Sequence, residues 1–208
     1  VQADRYSLRN AQLFKSPTVV ANGKKIPPIM GLIDIKKELK KLDKDKLVDL
    51  VADLYKKNKS VKEFFDFYVN PNEKGLFDKY RDKVFEAFYP KRGFGIKLKD
   101  GKQAISDFKK LGPSLDLLAD LMLFYVEKGV DLTNDFGDID ENFYSSLENM
   151  YVQALSLMRK EGLLDKFASR AKNVMIKTDG IGWGFSDYIS DVYYDFYQDV
   201  IDEEDEIS

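Results

Sequence analysis

The sequence predicts an all-α protein of about eight helices, arranged as a bundle or a short solenoid-like stack. Three observations carry that expectation. From Met30 onward, apolar residues recur at spacings of three and four in segment after segment, which is the helical period. Breakers separate these segments: Asn70-Pro71, Pro90, Gly112-Pro113, Gly129 and Gly180-Ile-Gly-Trp-Gly184. One segment, Ser114 to Glu127, is apolar around nearly its whole circumference, as a helix is when other helices surround it. Asp116 and Asp120 interrupt that run, which is shorter than the roughly 20 apolar residues that span a bilayer. It is therefore read as a buried central helix, starting after Gly112-Pro113 and ending at Gly129.

Residues 1–29 differ from the rest and are read as an extension, natural or added for expression. Asn22-Gly23 lies between short apolar runs, so a short β-hairpin or an extended arm is expected there. Residues 30–201 are expected to form a single helical domain, and 202–208 an acidic tail.

Within the domain, Ile33 to Leu42 is a short Lys-rich amphipathic segment. Asp43 suits an N-cap for a helix over 44–57, with Leu47, Leu50, Val51 and Leu54 at helical spacing. Ser60-Val-Lys-Glu63 has the form of a capping box for the next helix. A helix over 73–88 follows, then a basic connector from Lys91 to Gly101 and a helix over 102–111. After the central helix, Asp131 to Asp140 reads as an acidic loop. Helices over 141–160, 163–177 and 185–201 complete the chain, the last with Asp187, Asp191, Asp195 and Asp199 on its polar side. Val48-Asp-Leu-Val-Ala-Asp-Leu54 and Leu115-Asp-Leu-Leu-Ala-Asp-Leu121 match closely, either as a repeated helix unit or by coincidence of common helix composition.

Composition excludes several chemistries. The chain has no Cys and no His, so disulfides, thiolate nucleophiles, Ser-His-Asp triads and imidazole-ligated metals are ruled out. No signal peptide or transmembrane segment is visible, and a cytoplasmic protein with no membrane association is expected. The net charge of −3 hides an asymmetry. Residues 1–110 hold 26 Lys/Arg and 15 Asp/Glu, a net of +11; residues 111–208 hold 7 and 21, a net of −14. Such a split suits a basic surface for an anionic partner, or two lobes or two copies that attract each other.

Three stretches invite chemical readings. The acidic loop fails the EF-hand pattern, because Phe136 takes the glycine position and Asn142 the bidentate glutamate position. Gly180-Ile-Gly-Trp-Gly184 resembles a phosphate loop but lacks the third glycine of GxGxxG and the P-loop Lys-Ser/Thr. Its expected role is structural, with Trp183 and Phe185 anchoring the last helix on the core. Lys91, Arg92, Phe94, Lys97, Lys99 and Lys102 form the candidate nucleic-acid or anion surface, basic residues with an aromatic interleaved. Trp183, Phe185 and Tyr188 are the candidate interaction face. Asp53 and Asp120 sit inside apolar patterns, where carboxylates usually cap or pair with a cation.

No catalytic residue, metal ligand or cofactor is assigned. The leading expectation is a non-catalytic interaction or scaffold module with a protein partner or self-association. A nucleic-acid-binding accessory protein is the alternative, and a carboxylate- or metal-dependent enzyme the weakest reading.

Several stretches carry a family resemblance: Leu39-Lys-Lys-Leu-Asp-Lys-Asp-Lys-Leu47, Tyr55-Lys-Lys-Asn-Lys-Ser-Val-Lys-Glu-Phe-Phe65, Phe108-Lys-Lys-Leu-Gly-Pro-Ser114, Phe136-Gly-Asp-Ile-Asp140 and Gly180-Ile-Gly-Trp-Gly-Phe185. On these, residues 30–197 resemble an uncharacterised family of small helical bacterial proteins, a domain of unknown function associated with Bacteroidetes-like organisms. Similar proteins often carry histidine where Ser186 stands, which implies no chemical role for that position here. The resemblance implies an all-helical fold and no activity.

Overall fold

In the computed structural model the described residues are 19–21, 24–26, 31–92 and 95–206, with side chains described for 31–92 and 95–198. The all-α expectation holds: nine helices occur among the described residues. The chain divides into two compact units, residues 1–65 and 66–208.

In the first unit, strands β1 (Val19–Ala21) and β2 (Lys24–Ile26) pair antiparallel, with Val19 opposite Ile26. The Asn22-Gly23 dipeptide lies outside the described residues. Helix α1 covers Leu32–Leu39 and α2 covers Lys44–Lys57. Asp43 caps α2 as expected, its carboxylate accepting from the Lys46 N–H at 2.8 Å. Helix α3 covers Lys59–Val69 and runs past the unit boundary. Its cap is Asn58 rather than the expected Ser60. The Asn58 Oδ1 accepts from the backbone N–H of Ser60 and Val61 at 3.0 and 3.2 Å, and that places Ser60 inside the helix. No residue of α1, α2 or α3 is buried.

The second unit contains α4 (Glu73–Phe88), α5 (Leu98–Lys110), α6 (Leu115–Phe136), α7 (Glu141–Lys160), α8 (Leu164–Lys177) and α9 (Phe185–Glu206). The core is built on α6, whose Leu121, Leu123, Tyr125, Val126 and Val130 have no exposed surface. The expectation of a central helix in this stretch is therefore met, but the helix ends further on than expected. Gly129 does not stop α6; the helix runs on to Phe136 and ends at Gly137. Gly129 is there because α7 comes too close for a side chain: a Cβ would lie 2.3 Å from Leu147 Cδ2. The first six residues of the expected acidic loop, 131–136, are consequently helical.

Helix α5 likewise begins at Leu98, four residues before the expected start. Gly101, the last residue of the expected connector, is a buried helical residue whose Cβ would lie 2.8 Å from Tyr125 Cε2. The Lys97 N–H donates to the Ala87 carbonyl at 2.8 Å, tying the connector back to the end of α4. Helix α9 continues through Glu206, past the expected end at Ile201. No glycine or proline interrupts it.

Ion pairs set the direction of α8 against α6. Asp116 pairs with Lys166, Asp120 and Glu127 with Arg170, and Asp131 with Lys177. Residue numbers rise together on both helices, so α6 and α8 run parallel, and α7 returns between them in sequence.

Candidate interaction surface

Parallel α6 and α8 bring their C-terminal ends to the same end of the second unit, and the two turns that follow meet there. The α6–α7 turn supplies Asp138, and the α8–α9 turn supplies Gly182. A Cβ on Gly182 would lie 3.3 Å from Asp138 Oδ2. Tyr144, in the first turns of α7, holds the junction from below. Its hydroxyl donates to Asp138 Oδ1 at 2.7 Å, lies 3.0 Å from Thr133 Oγ1, and accepts from the Ile139 N–H at 3.4 Å. Its ring packs on Phe185 with centroids 4.9 Å apart. Burial pushes the Tyr144 hydroxyl above its ordinary pKa, and the Asp138 carboxylate adds to the effect. Tyr144 therefore stays a protonated donor across the neutral range.

Of the three interaction-face candidates, the structure places two at the surface. Phe185 is fully buried and anchors α9 on Tyr144. Trp183 does not share that anchoring role, contrary to the sequence reading: it is 61% exposed. Its φ is +62°, between Gly182 and Gly184, making it the non-glycine residue with positive φ among the described residues. On either side of it, Phe185 is buried and Ile181 packs against the core. Tyr188 is 43% exposed.

Tyr188 belongs to a longer stripe. On α9, Asp187, Tyr188, Asp191, Tyr194, Asp195 and Gln198 are exposed, while Phe185, Ile189, Tyr193 and Tyr197 are buried. The spacing of the exposed set follows the helical period, so one acidic, tyrosine-bearing face looks outward. No Lys or Arg follows Lys177 in the chain. Asp195 is 3.7 Å from Arg159, and neither Asp187 nor Asp191 has an ion-pair partner among the described residues.

The basic candidates lie elsewhere in this unit. Lys91 is paired with Glu86 at 2.6 Å, and that hydrogen bond raises its pKa. Arg92, Lys97, Lys99 and Lys102 are exposed and make no ion pair among the described residues. Lys99 and Lys102 stand nearly one turn apart on α5, whereas Arg92 and Lys97 are in the connector. Phe94 lies outside the described residues.

The four aspartates of the 131–140 stretch are engaged separately. Asp131 binds Lys128 and Lys177, Asp135 accepts from Tyr89, Asp138 from Tyr144, and Asp140 caps α7 through the Phe143 N–H. No group of three or more acidic side chains that could hold a metal ion occurs among the described residues. Nor, among them, is any helix long and apolar enough to cross a membrane.

Sequence reasoning missed Tyr144, Arg170 and Tyr194. Arg170 left a signal: Asp116, Asp120, Glu127 and Asp131 recur along the otherwise apolar α6 and mark a polar seam. Tyr144 left none, because its partners come from α6, from the preceding turn and from Phe185, 41 positions on.

Residues 30–197 match the family of unknown function DUF6155. The chain belongs to that family. No curated protein and no solved structure matches it. The DUF6155 match reaches from just ahead of α1 to Tyr197, the last buried aromatic of α9. Two of the stretches that carried the resemblance, 136–140 and 180–185, are those that meet at the Asp138–Tyr144–Phe185 junction of this DUF6155 chain.

Proposed function

We propose that this DUF6155 protein is a non-catalytic interaction module, working in the cytoplasm without a cofactor, that engages a protein partner through Trp183 and the outer face of α9. The observation that carries the reading is Trp183 itself. A large aromatic side chain is held out to solvent in a left-handed backbone conformation, two residues before Phe185, which is buried against Tyr144. Exposed tryptophan and tyrosine are the residues that most often dominate binding at protein interfaces, with losses of about 2 kcal/mol or more on truncation. Strained backbone that persists in a well-supported loop is a further pointer to a functional position.

The test is affinity capture from the native cell with the wild-type protein and with Trp183→Ala, identifying partners by mass spectrometry. The reading expects specific partners to be lost from the variant while its helical circular dichroism is unchanged. Identical capture by both proteins would overturn it.

A second reading, nucleic-acid binding, is favoured by Arg92, Lys97, Lys99 and Lys102, four exposed cations without carboxylate partners among the described residues. Phosphate contacts would show as affinity for labelled DNA or RNA falling log-linearly with salt. Replacing Lys99 and Lys102 by Ala should then reduce the slope by about two. An absence of binding at low salt removes this reading.

A further inference from the structure

We infer that the partner of the α9 face is a second copy of this chain, whose lysine-rich α1 docks on it. The inference rests on the reading of α9 as a docking face and names what docks there.

The outer face of α9 offers tyrosine rings and carboxylates together. Tyr188 and Tyr194 are 43% and 49% exposed, and Asp187 and Asp191 are without a cation among the described residues. A complementary occupant must carry apolar surface and positive charge on one helical face. The chain contains such a face. On α1, Ile33 is 70% exposed, and Lys36, Lys37 and the C-cap Lys40 follow it at i+3, i+4 and i+7. Lys41 is tied to Glu38 at 2.7 Å, but Lys36, Lys37 and Lys40 have no carboxylate partner among the described residues. Lys36 and Lys40 are four positions apart, as are Asp187 and Asp191, so both pairs of charges repeat at about 6 Å along their helices. The spacing lets two adjacent ion pairs form in one register, with the tyrosine rings against Ile33 and the lysine stems.

The charge balance of the whole chain agrees. The half that contains α1 carries +11 and the half that contains α9 carries −14, so two copies attract when unlike halves face each other. An unrelated anionic partner would be repelled by α9, and an unrelated cationic one would compete with a sequence already present at equal concentration.

The decisive experiment is sedimentation velocity on the full chain across a range of concentrations, at about 0.1 M and about 1 M salt, where the screening length falls from roughly 10 to roughly 3 Å. The expected result is a mass that rises with concentration at low salt and returns to the monomer at high salt. Two variants then locate the contact. Asp187→Lys with Asp191→Lys makes both faces basic; Lys36→Glu with Lys37→Glu and Lys40→Glu makes both acidic. Each alone should lose at least about tenfold in self-affinity through like-charge repulsion. Mixed together, they should associate again, because every contact in the mixed pair joins unlike charges. Restored association also shows that neither variant had merely unfolded.

A chain that stays monomeric at every concentration and salt overturns the inference, and so does a mixture that fails to associate. Either failure leaves the interaction reading to be decided by the Trp183→Ala capture, which does not depend on self-association.

Discussion

A Cβ on Gly129 would lie 2.3 Å from Cδ2 and 2.6 Å from Cδ1 of Leu147, so α6 and α7 touch with no room for a methyl group. Glycine in a helix interior ordinarily costs about 1 kcal/mol relative to alanine. At this position the order reverses. Gly129→Ala should destabilise the protein by roughly 1–3 kcal/mol through overpacking. Adding Leu147→Ala should recover part of that loss, with a coupling of about 0.5 kcal/mol or more. Urea unfolding of the two single variants and the double variant measures it. A stabilised Gly129→Ala would show that the helices are free to separate.

Arg170 joins two carboxylates of α6. Its Nε and Nη2 donate to Glu127 at 2.8 and 2.9 Å, and its Nη1 donates to Asp120 at 2.7 Å. A lysine ammonium cannot reproduce that fork. Arg170→Lys should cost roughly 1–2 kcal/mol, below the 3–5 kcal/mol of a fully buried pair, because the side chain is partly solvated. A cycle with Asp120→Asn, followed by denaturant unfolding, should show clear coupling. Independent effects would mean that water already carries the interaction.

Asp131 makes acid stability depend on the α6–α8 seam. Burial works against its ionisation, but the ammonium groups of Lys128 and Lys177 outweigh it and hold its carboxyl below the ordinary 3.8. A carboxylate with a depressed folded pKa contributes stability that is complete above its unfolded pKa and is lost as pH falls through the folded value. Asp131→Asn should therefore be less stable than wild type by a constant margin above about pH 5, and the margin should shrink toward about pH 2. Thermal melts across that range check the sign. A margin that widens on acidification would contradict the arrangement.

Trp183 separates stability from binding. A non-glycine residue in the left-handed region costs about 1–2 kcal/mol, and this side chain buries little to offset it. Trp183→Gly should therefore raise the melting temperature by about 2–4 °C, as expected for about 1 kcal/mol in a chain of this size. The same variant should lose partner capture. A lowered melting temperature would mean that the indole packs against the fold and is not held out for a partner.

The helical segments were legible because their determinants are local. Asp43 could be read as a cap because it acts on an N–H three residues away. Errors came where local and distant causes produce the same residue. Gly129 and Gly101 look like helix ends, but they are contact points, and the residues that require them, Leu147 and Tyr125, lie 18 and 24 positions along the chain. At the surface, Tyr188 could be proposed from its place on the last helix. Phe185 is buried, as its anchoring role requires, but that Trp183 would be exposed could not be read, since both are aromatic residues flanking the same glycine.

The sequence by itself determined that this is an all-α protein, roughly where its helices lie, and that thiol and imidazole chemistry are absent. Periodicity, caps and composition settle those matters within a few residues of each position. Only the tertiary structure decided which acidic groups remain without a cation. Asp116, Asp120, Glu127 and Asp131 find partners about 50 residues away, because α6 and α8 run parallel at ion-pair distance. Asp187 and Asp191 look outward, because the opposite side of α9 is filled by Phe185, Ile189 and Tyr193. The difference between a structural carboxylate and one open to a partner is set by what the helix packs against, and that is not encoded within any one stretch of the chain.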